Sequence, residues 1–234
     1  MSVLTDTADW LLEADHWSGA GGIPTRVAEH VGYTGLTLLG AAAVAVPLGL
    51  YIGHTGRFRS AAISITGALR ALPTLGVLTW FTLLVGIGLT APVLALVLLA
   101  IPPLLAGVYS GIESADPQTV DAARAQGMTE WQILRSVEVP IGLPLIIGGL
   151  RNATLQVVAT ATVAAYVSLG GLGRYIFDGQ AVRDYPQMAA GSIVVVALAL
   201  VLDGLFAVAQ NTAQRAARPG HSTSPSARRT LTTT

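Results

Sequence analysis

Two hundred and thirty-four residues suit one large domain or two small ones, but 52% hydrophobic against 11% charged residues is under half the charge of a water-soluble domain. With a mean hydropathy of +0.62 and 26 glycines, the chain reads as closely packed membrane helices, which excludes disorder and coiled coil for its bulk. All thirteen basic residues are arginine and balance thirteen acids, so no net field recruits nucleic acid. No lysine serves a phosphate-binding loop, and no cysteine serves a disulfide, thiolate metal site or nucleophile.

Residues 1–30 read as an extracytoplasmic tail. Asp6, Asp9, Glu13 and Asp15 are wrong for the basic start of a secretory leader. Trp10, Leu11, Leu12 and Trp17 leave two readings open, an interfacial amphipathic helix or a solvated leader. A transmembrane domain follows over 31–212. Span one is 31–53, free of charge and long enough for a hydrocarbon core that needs about 20 helical residues. From Ala71 to Ile112 there are 42 uncharged residues, too many for one crossing, and Gly86 to Pro92 is the turn that divides them. Span two is placed at 60–86, with Arg70 and the helix-disturbing Pro73 inside it, and span three at 92–112. Span four covers 141–169 with Arg151 part-way in, and span five 185–210 with Asp203 inside. Residues 213–234 have too little apolar content to bury a core and read as a disordered tail whose arginines face anionic lipid.

Five spans put the chain ends on opposite faces. One face then holds Arg57, Arg59, Arg124, Arg135, Arg215, Arg218, Arg228 and Arg229, the other Arg26, Arg174 and Arg183. Arginine excess marks the cytoplasmic side. The expectation is a multi-pass protein of the cell membrane, N-terminus outside, with the segment 113–140 and the C-terminus in the cytoplasm.

That segment is written as two short helices. Asp116 is a good N-cap before Pro117, Gly127 suits the left-handed end of a helix, and Thr129 with Gln132 has capping-box spacing. Pro140 is expected to close the second helix where the chain re-enters lipid. A connector needs only a few residues, so some 25 ordered ones mark a docking surface.

Permease subunits of binding-protein-dependent ABC importers carry Glu-Ala-Ala, three residues, Gly, nine residues, then Ile-x-Leu-Pro. This chain resembles them in Asp121-Ala122-Ala123, three residues, Gly127, nine residues and Val137-Glu138-Val139-Pro140. The resemblance implies an all-α integral membrane protein with five transmembrane helices and cytoplasmic coupling helices, the type I importer fold shared with methionine permeases. It assigns Asp121, Ala122, Ala123, Gly127, Thr129, Val137, Val139 and Pro140 to docking on a separate ATPase subunit, with Ala122 and Ala123 small enough for close approach. Asp121 is one methylene shorter than the family's Glu, which leaves open whether it reaches the same basic partner.

Similarity is strongest to the osmoprotectant branch, which handles glycine betaine, choline, carnitine or proline. Arg70-Ala-Leu-Pro73-Thr-Leu, the coupling segment, and Ser168-Leu-Gly-Gly-Leu-Gly173-Arg-Tyr-Ile-Phe177 carry it. Methionine permeases share the five-span plan and a similar glycine turn, so another small solute is the alternative cargo. The resemblance implies a second permease copy or paralogue, an extracytoplasmic solute-binding protein, and ATP and Mg held by the ATPase, with no cofactor in this chain.

Arg70, Arg151 and Asp203 lie at depths where isolated charge costs about 3 kcal/mol. An Arg–Asp pair with Asp203 and a water-lined inner vestibule are the two readings, and a structural bridge between helices is favoured over contact with cargo. Gly170, Gly171 and Gly173 read either as a plain reversal or as an outer gate. No histidine has a ligand-spaced partner, so an intramembrane enzyme and a metal site are disfavoured. An ion-coupled carrier lacks the internal repeats and broken helices it needs.

Overall fold

The computed structural model describes residues 3–167 and 169–217. Every regular element among them is helical: α1 (Val3–Leu12), α2 (Ile23–Thr55), α3 (Arg59–Arg70), α4 (Thr74–Val85), α5 (Thr90–Glu113), α6 (Pro117–Ala125), α7 (Glu130–Ile133), α8 (Val139–Ala161), α9 (Gly173–Val182) and α10 (Tyr185–Ala217). A π turn over Leu134–Glu138 joins α7 to α8, and a 3-10 turn over Thr162–Val167 continues α8. Four helical stretches are long and apolar enough to cross a membrane: α2, α5, α10 and the run Glu130–Val167. Helices α3 and α4, bent by 90° at the break between them, are long and apolar enough only together, as one broken span or a re-entrant loop.

Helix α5 lies at the centre, between α2 and α8. Apolar burial gives helices in lipid little reason to associate, so close backbone approach takes over. Gly107 meets Gly149 and Gly111 meets Gly142 across the α5–α8 seam, and a methyl on any of the four would overlap the opposing backbone. Ala41, Ala45, Ala100, Leu104, Val108, Ala153 and Val157 complete the core along α2, α5 and α8. Pro103 has no N–H to give the Leu99 carbonyl one turn back. The Gln156 side-chain amide on α8 fills that gap, donating to Leu99 O at 3.0 Å.

Several boundaries differ from those read in the sequence. Helix α2 starts at Ile23, not 31, because Arg26 pairs with Glu29 at 2.9 Å and His30 is fully buried, so charge does not mark its end. Residues 3–30 are not set apart from the bundle: Trp10 and Leu11 of α1 pack with Ile23, Leu172, Tyr175 and α10, and residues 1–2 lie outside the described residues. The second span is not one helix. It breaks between Arg70 and Thr74, and α3 and α4 meet at 90°, because Pro73 disfavours helical geometry at Leu72 and caps α4 instead. Arg70 is therefore exposed at the end of α3, beside the break in the bent pair. Nor does Pro140 close a helix. The π turn before it shifts the hydrogen-bond pattern by one residue, so the missing N–H and the ring are absorbed, and the chain stays helical from Glu130 to Val167. Helix α10 reaches Ala217 with Ala213 buried, so 213–217 is not tail. Residues 218–234, with Arg218, Arg228 and Arg229, lie outside the described residues, as does Ser168.

Candidate functional site

The segment between α5 and α8 is an ordered elbow, and each turn of it has a local cause. Asp116 Oδ1 accepts from Gln118 N–H at 3.0 Å, and Pro117 begins α6 without wasting a donor. Gly127 has φ +85°. Its N–H donates to Arg124 O at 2.9 Å and that of Met128 to Ala123 O at 3.2 Å, the paired bonds of a glycine-terminated helix. Thr129 then opens α7 with a full capping box, Gln132 Oε1 accepting from Thr129 N–H at 2.8 Å. Ala115, Val120, Ala123 and Ile133, with Met128 and Val137, form the elbow's own small core.

This divides the predicted docking residues. Asp121, Ala122, Gly127, Thr129 and Pro140 are exposed, while Ala123 is 6% exposed and packs inward. Its small side chain lets α6 close on α7 rather than on a partner. Val137 and Val139 are half-buried at the root of α8.

A charge network ties the elbow to its neighbours. Arg124 donates to both carboxylate oxygens of Glu130, at 2.9 and 3.0 Å, and to Asp121 at 3.1 Å. These hydrogen bonds, chiefly those to Glu130, push the Arg124 pKa up. His54, one residue before the end of α2, lies 3.2 Å from Glu130 by Nε2 and 2.7 Å from the buried Glu138 by Nδ1. Arg59 stands 3.4 Å from Glu113. Most of these groups line a polar cavity of about 490 Å³. Sequence reasoning set His54 aside for want of a nearby partner. The overlooked signal was Glu138, a lone acid between two valines.

Deeper in the bundle, Arg151 Nε and Nη2 donate to Asp203 Oδ1 and Oδ2 at 2.6 and 2.7 Å. Below them Gln210 donates to Pro144 O at 3.1 Å, so the α8–α10 seam carries polar contacts on several turns. Arg70 and Pro73 do not join this seam; they sit at the α3–α4 break. Trp80 packs on Phe81 and Tyr166 on Phe177 as two separate pairs.

At the other end, the glycine run rests on the first turns of α2. Gly171, with φ +82°, donates its N–H to Glu29 Oε2 at 2.7 Å. Nε2 of His30 is 3.0 Å from Val158 O, and Nδ1 is 3.4 Å from Leu172 N. A carbonyl only accepts and an amide N–H only donates, so the ring is neutral with its proton on Nε2. Gly173 opens α9 against Thr162. Glu29 and His30 were missed in the sequence because the contacts that tie them to the glycine run end on backbone atoms, which leave no residue pattern. No cluster of histidine and acid side chains among the described residues is arranged to hold a metal ion.

A helical bundle of four long spans and a bent fifth, with a capped elbow between the third and fourth spans, has clear relatives. Residues 45–214 match the family model of the binding-protein-dependent transport system inner membrane component. The chain belongs to that family. It is 30% identical to the glycine betaine/carnitine/choline transport system permease protein OpuCB of Bacillus subtilis, over 82% of this chain and 89% of the relative. It is 34% identical to the carnitine transport permease protein OpuCD of Listeria monocytogenes, over 74% and 78%. To the osmoprotectant import permease protein OsmW of Salmonella typhimurium it is 31% identical, over 86% and 94%. Its fold is that of the permease in inward-facing structures of the MetNI methionine ABC transporter, with a TM-score of 0.70 at 22% identity, covering 87% of this chain and 96% of that one. The permease is thus a multi-pass inner-membrane subunit of an ABC importer, working with a binding protein and an ATPase, and hydrolysis of ATP is the task of the separate subunit.

Proposed function

We propose that this permease, paired with a second copy or a paralogue, forms the translocation path for an osmoprotectant such as glycine betaine, choline, carnitine or proline. An extracytoplasmic binding protein delivers the solute, and ATP and Mg bound in the ATPase drive its passage. The observation that carries this reading is the set of relatives at 30–34% identity, named for glycine betaine, carnitine or choline transport. Methionine import has only the likeness of fold behind it.

In this reading Asp121, Ala122, Gly127 and Thr129 meet the ATPase. Val137, Val139 and Pro140 pass its motion into α8, and Ala123 holds the elbow's shape. Gly170, Gly171 and Gly173 shape the outer end of the path, with Arg151 and Asp203 as a structural bridge within it. The N-terminus is extracytoplasmic and the elbow cytoplasmic.

Proteoliposomes holding the permease, its ATPase and its binding protein test the reading. Labelled glycine betaine, choline or carnitine is expected to accumulate only with ATP. Accumulation of methionine alone, or uptake driven by an ion gradient without ATP, would overturn it.

A further inference from the structure

We propose that Glu29 and His30 are positioning residues that latch the glycine run to α2, so that the outer end of the path opens only when Gly171 and Leu172 leave them. The inference rests on the reading that Gly170, Gly171 and Gly173 shape that outer end, and names what holds them in place.

Each latch residue has two partners, one that stays and one able to leave. Glu29 Oε2 accepts from Gly171 N–H at 2.7 Å and from Arg26 Nη1 at 2.9 Å. Arg26 stands three residues back on the same helix, so it remains when the run departs. A carboxylate stranded without a partner is strongly unfavourable, and Glu29, its side chain 33% exposed, keeps a cation beside it. His30 is fully buried. Its Nε2 donates to Val158 O on α8 at 3.0 Å, while its Nδ1 accepts from Leu172 N–H at the longer distance of 3.4 Å. Release therefore breaks the longer bond and keeps the shorter one.

The run itself is held in a way that permits release. Gly171 has φ +82°, a conformation from which glycine departs without steric penalty. It and Leu172 give up one backbone hydrogen bond each, which water in an opened path can replace. The remaining contact, Leu172 on Ile23, is apolar and has no fixed direction. Helix α9 does not come away with the run, because Tyr175 Oη donates to Gly21 O at 2.6 Å and ties α9 to the chain just before α2.

The packing of Gly170 on Glu29 supplies an independent handle. A methyl on Gly170 would overlap the Glu29 carboxylate, the free end of a flexible side chain. Gly170→Ala therefore displaces the carboxylate and leaves the sequence of α2 intact. Solute delivered from outside must part the run from α2 to enter, so a weakened latch lets the outer end open unprompted. A hydrogen bond to an ionised group is strong enough to shift such a balance about tenfold.

The full complex in lipid nanodiscs and proteoliposomes tests this with Glu29→Ala, Gly170→Ala and Glu29→Gln, whose amide oxygen still accepts from Gly171. Amide hydrogen exchange at Gly171 and Leu172 is expected to quicken about tenfold in the first two. ATP hydrolysis without the binding protein should rise severalfold in both, with glycine betaine uptake retained at saturating binding protein, and Glu29→Gln should stay near the parent. Unchanged exchange in Glu29→Ala, or faster exchange with hydrolysis still dependent on the binding protein, would overturn the latch. So would hydrolysis and uptake falling together, as loss of a mere support would give, or Glu29→Gln behaving like Glu29→Ala. Should Glu29→Ala fail to assemble, Gly170→Ala is read by the same criteria. A parent that imports none of the proposed osmoprotectants would sink the cargo reading alone, because exchange and hydrolysis without the binding protein need no solute.

Discussion

Arg151 and Asp203 meet through two parallel N–H···O bonds although 52 residues separate them. A fork-to-fork pair fixes rotation as well as distance, so it sets how α8 faces α10. Removing one partner strands the other charge within the membrane, whereas removing both strands neither. Arg151→Leu and Asp203→Leu are each expected to lower the yield and melting temperature of purified permease, and the double variant to recover much of the loss. Additive losses in that cycle would mean the two act independently. Both charges were legible in the sequence because charge inside an apolar run is conspicuous. Glu29, His30, His54 and Glu138 were not singled out, since His54 meets Glu138 across 84 residues, and Glu29 and His30 meet the backbone of Gly171 and Leu172 across 142.

Among the elements, the elbow was the most legible, because the hydrogen bonds of its caps span no more than five residues. Gly127 at φ +85° has open space where a Cβ would go, so a substitution there meets backbone strain and no clash. Gly127→Ala should cost about 1–2 kcal/mol, the left-handed penalty of an L-residue. Hydrogen exchange of residues 117–138 should quicken by about tenfold or somewhat more, with Gly127→Asn closer to the parent. Unchanged exchange would mean that the elbow tolerates another end to α6. The two prolines were harder to read, because a proline's effect depends on the turn around it. Pro73 follows a residue it drives out of helical geometry, and the span bends through a right angle; Pro140 follows a π turn and the helix runs on.

For the whole molecule, the order of the long apolar stretches was readable from run lengths, while α9, the break between α3 and α4, and the true starts and ends were hidden. Helices α2 and α10 extend past those runs because polar residues near their ends find partners or solvent. The orientation proposed from arginine placement is open to direct test in this cysteine-free chain. In intact cells, a single cysteine in place of exposed Asp9 should react with a membrane-impermeant maleimide, and one in place of Gln126 only after the membrane is opened. The reverse pattern would invert the assigned orientation.

The glycine seam between α5 and α8 bears on how this subunit can rearrange. Backbone touches backbone there, with no cushion of side chains to shear across. The two helices are therefore expected to travel as one stiff unit, with α10 tied to them through the Arg151–Asp203 fork, and the swing is left to the jointed α3 and α4.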